Sequence, residues 1–334
     1  MYFGGKSSIA SIVWAALGEV KHFIEPFFGS GAVLLARPNF DPAKNTETIN
    51  DKDGFISNVW RSLQISPDET ARWCDWPVSH CDLSARKQAL IKNEKRLLEN
   101  LISDEKWHDP VMAGYWIWAA SCWIGSGLTS IGQRSHIGNA GIGVHKIGQR
   151  PHIIDAGKGV HKISQIPFLS KAGMGVHKIS KIPHISDAGR GVQEPYNTNI
   201  YKWFRELSER LRYVRVVCGD WTRVCGGDWQ DNLGTVGIFF DPPYGIKDRD
   251  TKIYHHDSTE IAKDVMAWCI ERGKKPSYRI VLAGYDEYEE LKNHGWNKYR
   301  WKAQGGYSNL GGLNENRKRE TLWFSPNYIK TELF

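Results

Sequence analysis

The sequence predicts a doubly wound α/β fold interrupted by a long insertion. Three observations carry that expectation: short apolar runs alternate with helical patterns, those runs end in clusters of Gly, Asp and Pro, and a basic tandem repeat separates the second run from the third. Alternating strands and helices favour a mostly parallel sheet covered on both faces. In such sheets ligands bind at the carboxyl ends of the strands.

Strands are expected at 21–26 (KHFIEP), 46–51 (TETIND), 213–219 (YVRVVCG), 236–241 (VGIFFD), 278–284 (YRIVLAG) and 319–325 (RETLWFS). Helical patterns occupy 55–64, 84–102, 201–214 and 258–273. The segment SIASIVWAALG at 8–18 superficially resembles a signal-peptide core, but the glycine pair and lysine before it argue against that reading. PVMAGYWIWAASCWIG at 110–125 is apolar all round, yet shorter than the roughly 20 residues a bilayer span needs, so it reads as a buried helix. Tryptophans at 60, 73, 76, 107, 116, 118 and 123 read as core, and the charged stretch 84–102 as a solvated face.

At 334 residues, with 41% hydrophobic and 24% charged side chains, the chain can bury one large core with an attached lobe. Six cysteines without a CxxC spacing favour a reducing compartment, hence the cytoplasm. The net charge of +7 favours a polyanionic partner such as nucleic acid.

That charge is concentrated. Aligned from Gly125, the chain reads GSGLTSIGQRSHIGNA, GIGVHKIGQRPHIIDA, GKGVHKISQIPFLSKA, GMGVHKISKIPHISDA and GRGV, a 16-residue tandem repeat ending near Val192. Residues 125–192 hold nine Lys or Arg against two Asp, so the remainder is close to neutral. Recurrent Gly and Pro favour short strands and turns over helix. Two readings stand: a surface loop enlarged by duplication, or an electrostatic arm in which residues such as Lys146, Arg150, Lys162 and Lys178 engage phosphates. Neither VHK nor PHI has the spacing of a metal-ligand set, and no metal is expected.

Four motifs fall where strands are expected to end. EPFFGSGAVLLA at 25–36 sets Phe27, Gly29 and Gly31 in a tight turn opening a helix at Ala32, where glycine lets a ligand approach the backbone. Asp51 follows about 20 residues beyond, the spacing at which an acid can accept from ribose hydroxyls. CGDW places Asp220 and Trp221 at the third strand end, an acid to accept from an adenine amine and an indole to stack, with GGDW at 226–229 as a rival copy. The fourth is DPPY at 241–244, a tetrapeptide expected by chance in a chain this long with a probability on the order of one in a thousand.

This ordered set resembles the Dam-like DNA adenine-N6 methyltransferases, over about residues 1–60 and 200–326. YFGGK at 2–6 looks like that family's N-terminal cofactor motif, FIEPFFGSGAV its glycine motif, NDKD its ribose acid, CGDW its adenine pocket, DPPYG its catalytic motif and NENRKRETLWFSPN its closing strand. The resemblance implies a Rossmann-like methyltransferase fold and S-adenosylmethionine as cofactor, with Tyr2 and Lys6 on its methionine portion and Asp241 also at the cofactor. It implies a catalytic domain formed by 1–59 and 200–334, interrupted at 60–199 by a target-recognition lobe with a helical part (60–124) and the repeats. Double-stranded DNA is then the expected partner, with nucleoid association in the cytoplasm. An orphan enzyme and one paired with a restriction endonuclease both fit.

The chemistry follows from residue types. An exocyclic adenine amine is a weak nucleophile because its lone pair is delocalised into the ring. Asp241 and the carbonyl of Pro242 can accept its two N–H hydrogens, Pro242 and Pro243 stiffen the loop, and Tyr244 can stack on a base extruded from the duplex. YHHD at 254–257 is a further candidate for ordering that loop or touching DNA. The alternatives are a cytosine-N4 or RNA methyltransferase on the same fold, or a catalytically inactive DNA-binding protein.

Overall fold

The computed structural model describes residues 6–122, 197–243, 254–301 and 320–330, without the side chains of 197–199, 254–259 and 286. In chain order the elements are α1 (Ala10–Leu17), β1 (His22–Glu25), α2 (Ala32–Leu35), β2 (Thr46–Asp51), α3 (Gly54–Ile65), α4 (Pro67–Cys74), α5 (His80–Ser103) and α6 (Pro110–Cys122). They continue with α7 (Asn197–Leu211), β3 (Val214–Cys218), α8 (Thr222–Cys225), β4 (Val236–Phe240), α9 (Tyr254–Arg272), β5 (Tyr278–Gly284), β6 (Asn297–Arg300) and β7 (Thr321–Phe324).

The strands form one mixed sheet in the order β3-β2-β1-β4-β5-β7-β6. β2, β1, β4 and β5 run parallel, while β7 is antiparallel to both β5 and β6. β1 and β4 are buried at every position, as befits parallel strands covered on both faces. That is why VGIFF reads as an unbroken apolar run rather than an alternating one.

The described residues divide into two compact units. One comprises 6–50, 213–215, 220–243, 254–301 and 320–330. Its core includes Phe23, Ile24, Phe239, Phe240, Ile280, Leu282, Leu322, Trp323 and Phe324, each at most 1% exposed. Full burial of such side chains contributes about 1.5–3 kcal/mol apiece. Here α1 is a packed core helix: Val13 and Leu17 are buried, and the Trp14 indole donates to the Val33 carbonyl at 2.7 Å. Among the described residues no helix is long and apolar enough to cross a membrane.

The second unit comprises 51–122, 197–212 and 216–219. Five helices, α3 to α7, supply its core, with Trp60, Trp116 and Trp118 at most 1% exposed. Trp76 differs at 43% exposed, lying against the Arg86 guanidinium, which also sits 4.5 Å from the Tyr115 ring and 4.4 Å from that of Trp118. Buried Arg61 ties the unit together by donating to the carbonyls of Asp104, Trp107 and Val216 at 2.7, 3.2 and 3.1 Å.

α4 and β6 are among the elements that apolar pattern does not predict. α4 starts at Pro67 with Asp68 and Glu69 in its first turn, a proline-and-acid start that apolar spacing does not register. β6, read NKYR, is a short edge strand whose pairing is entirely with β7 and whose polar residues carry no alternation.

Candidate active site

Strand order reverses between β1 and β4, and in sheets of this kind ligands bind beyond the carboxyl ends of the strands at such a switch point. β1 runs into the turn 26–31. Gly29 and Gly31 adopt φ of 46° and 68°, a left-handed conformation that costs a side-chain-bearing residue about 1 kcal/mol or more. The turn is fixed by backbone bonds: Phe28 N–H donates to Asn50 and Gly31 N–H to Phe28, both at 2.9 Å. Asn50 Nδ2 returns a bond to the Pro26 carbonyl at 3.0 Å. Buried Glu25 accepts from the Leu34 N–H at 3.2 Å, pinning α2 behind the turn. The helix opened at Ala32 is one turn long.

β4 delivers Asp241 at the same edge. Its Oδ1 lies 3.3 Å from Lys6 Nζ, with the lysine side chain 5% and the carboxylate 19% exposed. Pro242 is buried and Pro243 exposed. Glu320, just before β7, interacts electrostatically with both Lys6 and Asp241; burial, the largest influence, and the Asp241 charge push its carboxyl above the usual range while Lys6 pulls it down. Tyr288, buried, has its phenol pushed up by burial first, then by Glu287, Cys269 and Asp241. Glu320 and Tyr288 were not singled out from sequence. The one signal for Glu320 is an acid directly ahead of the fully buried run TLWF.

Phe27 stacks with Trp221 at 6.4 Å between centroids and 29° between planes, and Phe240 closes the group at 6.3 Å from Phe27 and 6.0 Å from Trp221. Trp268 packs edge-on against Trp221 and Phe240. Asp220 Oδ1 accepts from the Thr222 N–H at 3.0 Å and the Thr222 hydroxyl at 2.7 Å, just ahead of α8.

The rival copy lies elsewhere. Asp228 is held by Arg272 at 2.6 Å, and Trp229 meets His22, the first residue of β1, edge-on at 5.6 Å. Trp229 therefore sits by the amino end of β1, whereas Trp221 accompanies Phe27 beyond its carboxyl end.

Within the other unit, Asp51 ends β2. Its carboxylate accepts from the Asp53 N–H at 2.9 Å, and its carbonyl accepts from Ser57 Oγ and Gly219 N, both at 3.0 Å. Asp53 is the N-cap of α3, accepting from Phe55 N–H at 2.8 Å and Ile56 N–H at 3.4 Å. The sequence candidates Tyr2, Tyr244, Lys146, Arg150, Lys162 and Lys178, with the whole repeat, lie outside the described residues, as do the side chains of YHHD.

Residues 2–107 match the family model of D12 class N6 adenine-specific DNA methyltransferase, a class of S-adenosylmethionine-dependent enzymes. The match, confined to residues 2–107, agrees with the Dam-like motifs and supports DNA adenine methylation in general. No curated protein was found to match the chain.

Proposed function

We propose that the protein is a DNA adenine methyltransferase that takes its methyl group from S-adenosylmethionine and acts on the N6 amine of an adenine swung out of the duplex. The observation that carries this reading is the place of Asp241: one residue past β4, at the switch point where strand order reverses, held by buried Lys6 at 3.3 Å.

The residues at that edge fit the cofactor's chemistry. Lys6 offers an ammonium to its carboxylate, Asp241 an acceptor for its α-amino group, and the two left-handed glycines a backbone without side chains. Trp221 with Phe27 forms an aromatic wall for its adenine, with Asp220 beside it to accept from the adenine amine. Asp51, at the end of β2, is assigned the ribose hydroxyls on its spacing from the glycine turn. Bound S-adenosylmethionine supplies an electrophilic methyl on a cationic sulfur.

The chain's own groups prepare the amine. Asp241 accepts one N–H hydrogen and the Pro242 carbonyl the other, which localises the nitrogen lone pair toward the methyl. The same two acceptors offset positive charge as it develops on nitrogen, an electrostatic role that depends on acceptors fixed beforehand. Two consecutive prolines restrict the loop to that end. Base extrusion costs a few kcal/mol, of which stacking on Tyr244 returns about 1–3 kcal/mol. The lobe at 60–199 is assigned to target recognition, with Lys146, Arg150, Lys162 and Lys178 on the phosphates of double-stranded DNA.

The test is to incubate the protein with S-adenosylmethionine and unmethylated plasmid, digest the DNA and identify methylated nucleosides by mass spectrometry. N6-methyladenine with wild type and none with Asp241→Ala is expected, the variant retaining salt-sensitive DNA binding. N4-methylcytosine would overturn the assigned base, and methylation unaffected by the substitution would overturn the role of Asp241.

A further inference from the structure

The geometry points to Trp268 as a positioning residue for the adenine wall, one that fixes the angle of the Trp221 indole on which the cofactor's adenine stacks. This rests on the cofactor reading above and adds to it a residue that acts through another.

Trp221 stands at the head of α8, a helix of a single turn from Thr222 to Cys225. One turn does not sustain itself, because helix nucleation is unfavourable and the end carbonyls find no partner within the helix. Here those carbonyls are met from outside. Cys225 accepts from the Trp268 indole N–H at 3.0 Å, and Val224 from Gln230 Nε2 at 2.7 Å. One turn further along α9, Arg272 donates to the Gly227 carbonyl at 3.0 Å and to Asp228 at 2.6 Å, with its guanidinium 5.8 Å from the Trp268 ring. Trp268 and Arg272, four residues apart, share one face of α9 and hold the chain from Cys225 to Asp228 against it. All of these residues belong to one compact unit.

Ring geometry supplies the second argument. Phe27 lies at 29° to Trp221, whereas Trp268 meets the same indole at 89° with centroids 6.4 Å apart. Stacked and edge-to-face contacts are both favoured by the ring quadrupole, and neighbours at two such different angles leave the indole one orientation in which both are kept. Half-buried Trp268 also meets Phe240 at 67° and 5.4 Å, and Phe240 directly precedes Asp241. The one side chain thus touches both the adenine wall and the strand that carries the acid. Without it, Trp221 keeps Phe27 but loses the contact that sets its angle and the bond that secures its helix.

The experiment compares the full chain, wild type and Trp268→Phe, in steady-state methylation of plasmid DNA with S-adenosylmethionine varied, and in calorimetric titration of S-adenosylmethionine and of adenosine. Phenylalanine keeps one aromatic ring but removes the N–H and the second ring. KM for S-adenosylmethionine is expected to rise about five- to tenfold with kcat within about twofold of wild type. Both ligands should weaken by the same factor, because adenosine has the adenine and lacks the methionine portion. Benzothienylalanine in place of Trp268 keeps the ring volume and puts sulfur where the N–H was, so it tests the Cys225 bond without opening a cavity; KM should rise about threefold. KM and both affinities equal to wild type in the two variants would reduce Trp268 to core packing and overturn the inference. A fall in kcat at unchanged KM would overturn it in favour of an effect on Asp241 through Phe240, and weakening of S-adenosylmethionine with adenosine unaffected would overturn it in favour of the methionine portion. Wild type binding neither ligand would instead bring down the cofactor reading itself.

Discussion

Lys6 and Asp241 are 235 positions apart in sequence, yet Nζ and Oδ1 lie 3.3 Å from each other with little of either side chain in solvent. An ion pair this far out of water is costly to break from one side, because the remaining charge keeps its desolvation penalty. Lys6→Met should therefore lower stability by about 2–4 kcal/mol and methylation by about a hundredfold or more. Denaturant unfolding and initial rates of methyl incorporation check the two effects separately. An unchanged rate in a destabilised protein would reduce the pair to a structural role.

The two copies of Gly-Asp-Trp invite a direct contrast. Trp221 is 6% exposed and in contact with Phe27, Phe240 and Trp268, whereas Trp229 is 37% exposed. Trp221→Ala should cost about 3–5 kcal/mol, and Trp229→Ala less than about 1 kcal/mol. Trp221→Phe, which preserves more of the packing, separates folding from binding: it should weaken S-adenosylmethionine in calorimetric titration, while Trp229→Ala leaves affinity intact. The reverse pattern would move the adenine wall to the second copy.

His22 gives the fold an acid sensitivity. Its imidazole is buried against Thr46 and Thr48, and burial first, then the positive charges of Arg215 and Arg37, lowers its pKa from 6.5 to about 4. A folded-state pKa below the unfolded one means that the unfolded chain takes up the proton first. Stability contributed by the neutral ring is whole above pH 6.5 and is lost as pH falls toward 4, amounting to about 3 kcal/mol. His22→Gln should flatten that part of the stability–pH curve in chemical denaturation. A slope identical to wild type between those limits would show that other groups carry the acid response.

Deletion of two whole repeats, residues 141–172, removes five Lys or Arg and one Asp. If the repeats track phosphates, S-adenosylmethionine affinity should persist while DNA affinity falls and the slope of log K against log salt becomes shallower by about 3–4. Fluorescence anisotropy on a labelled duplex across a salt series reads both quantities. Affinity, slope and methylation sites all equal to those of wild type would support the enlarged-loop reading instead.

Much of the candidate site was legible before any coordinates, because its parts are marked by residues with narrow conformational or chemical roles. Gly29 and Gly31 announce a tight turn, and Asp241 stands out because it ends the apolar run VGIFF. Less legible was which of two equivalent motifs lies at the carboxyl end of β1, since CGDW and GGDW differ by one residue and both contain an acid and an indole. The distinction is made by Arg272, which holds Asp228, and by His22, which meets Trp229 at the opposite end of β1.

The sequence by itself determined the alternation of strands and helices, the order of the motifs and the concentration of positive charge in the repeat, because periodicity, glycine and charge are local properties. Only the tertiary structure decided that β7 returns antiparallel beside β5 and brings Glu320 to the edge where Asp241 ends β4. It also decided that Lys6 is buried against that acid. Strand order and register depend on contacts between residues far apart in sequence, which no local pattern encodes, and the ion pair at the site exists only once those contacts have formed.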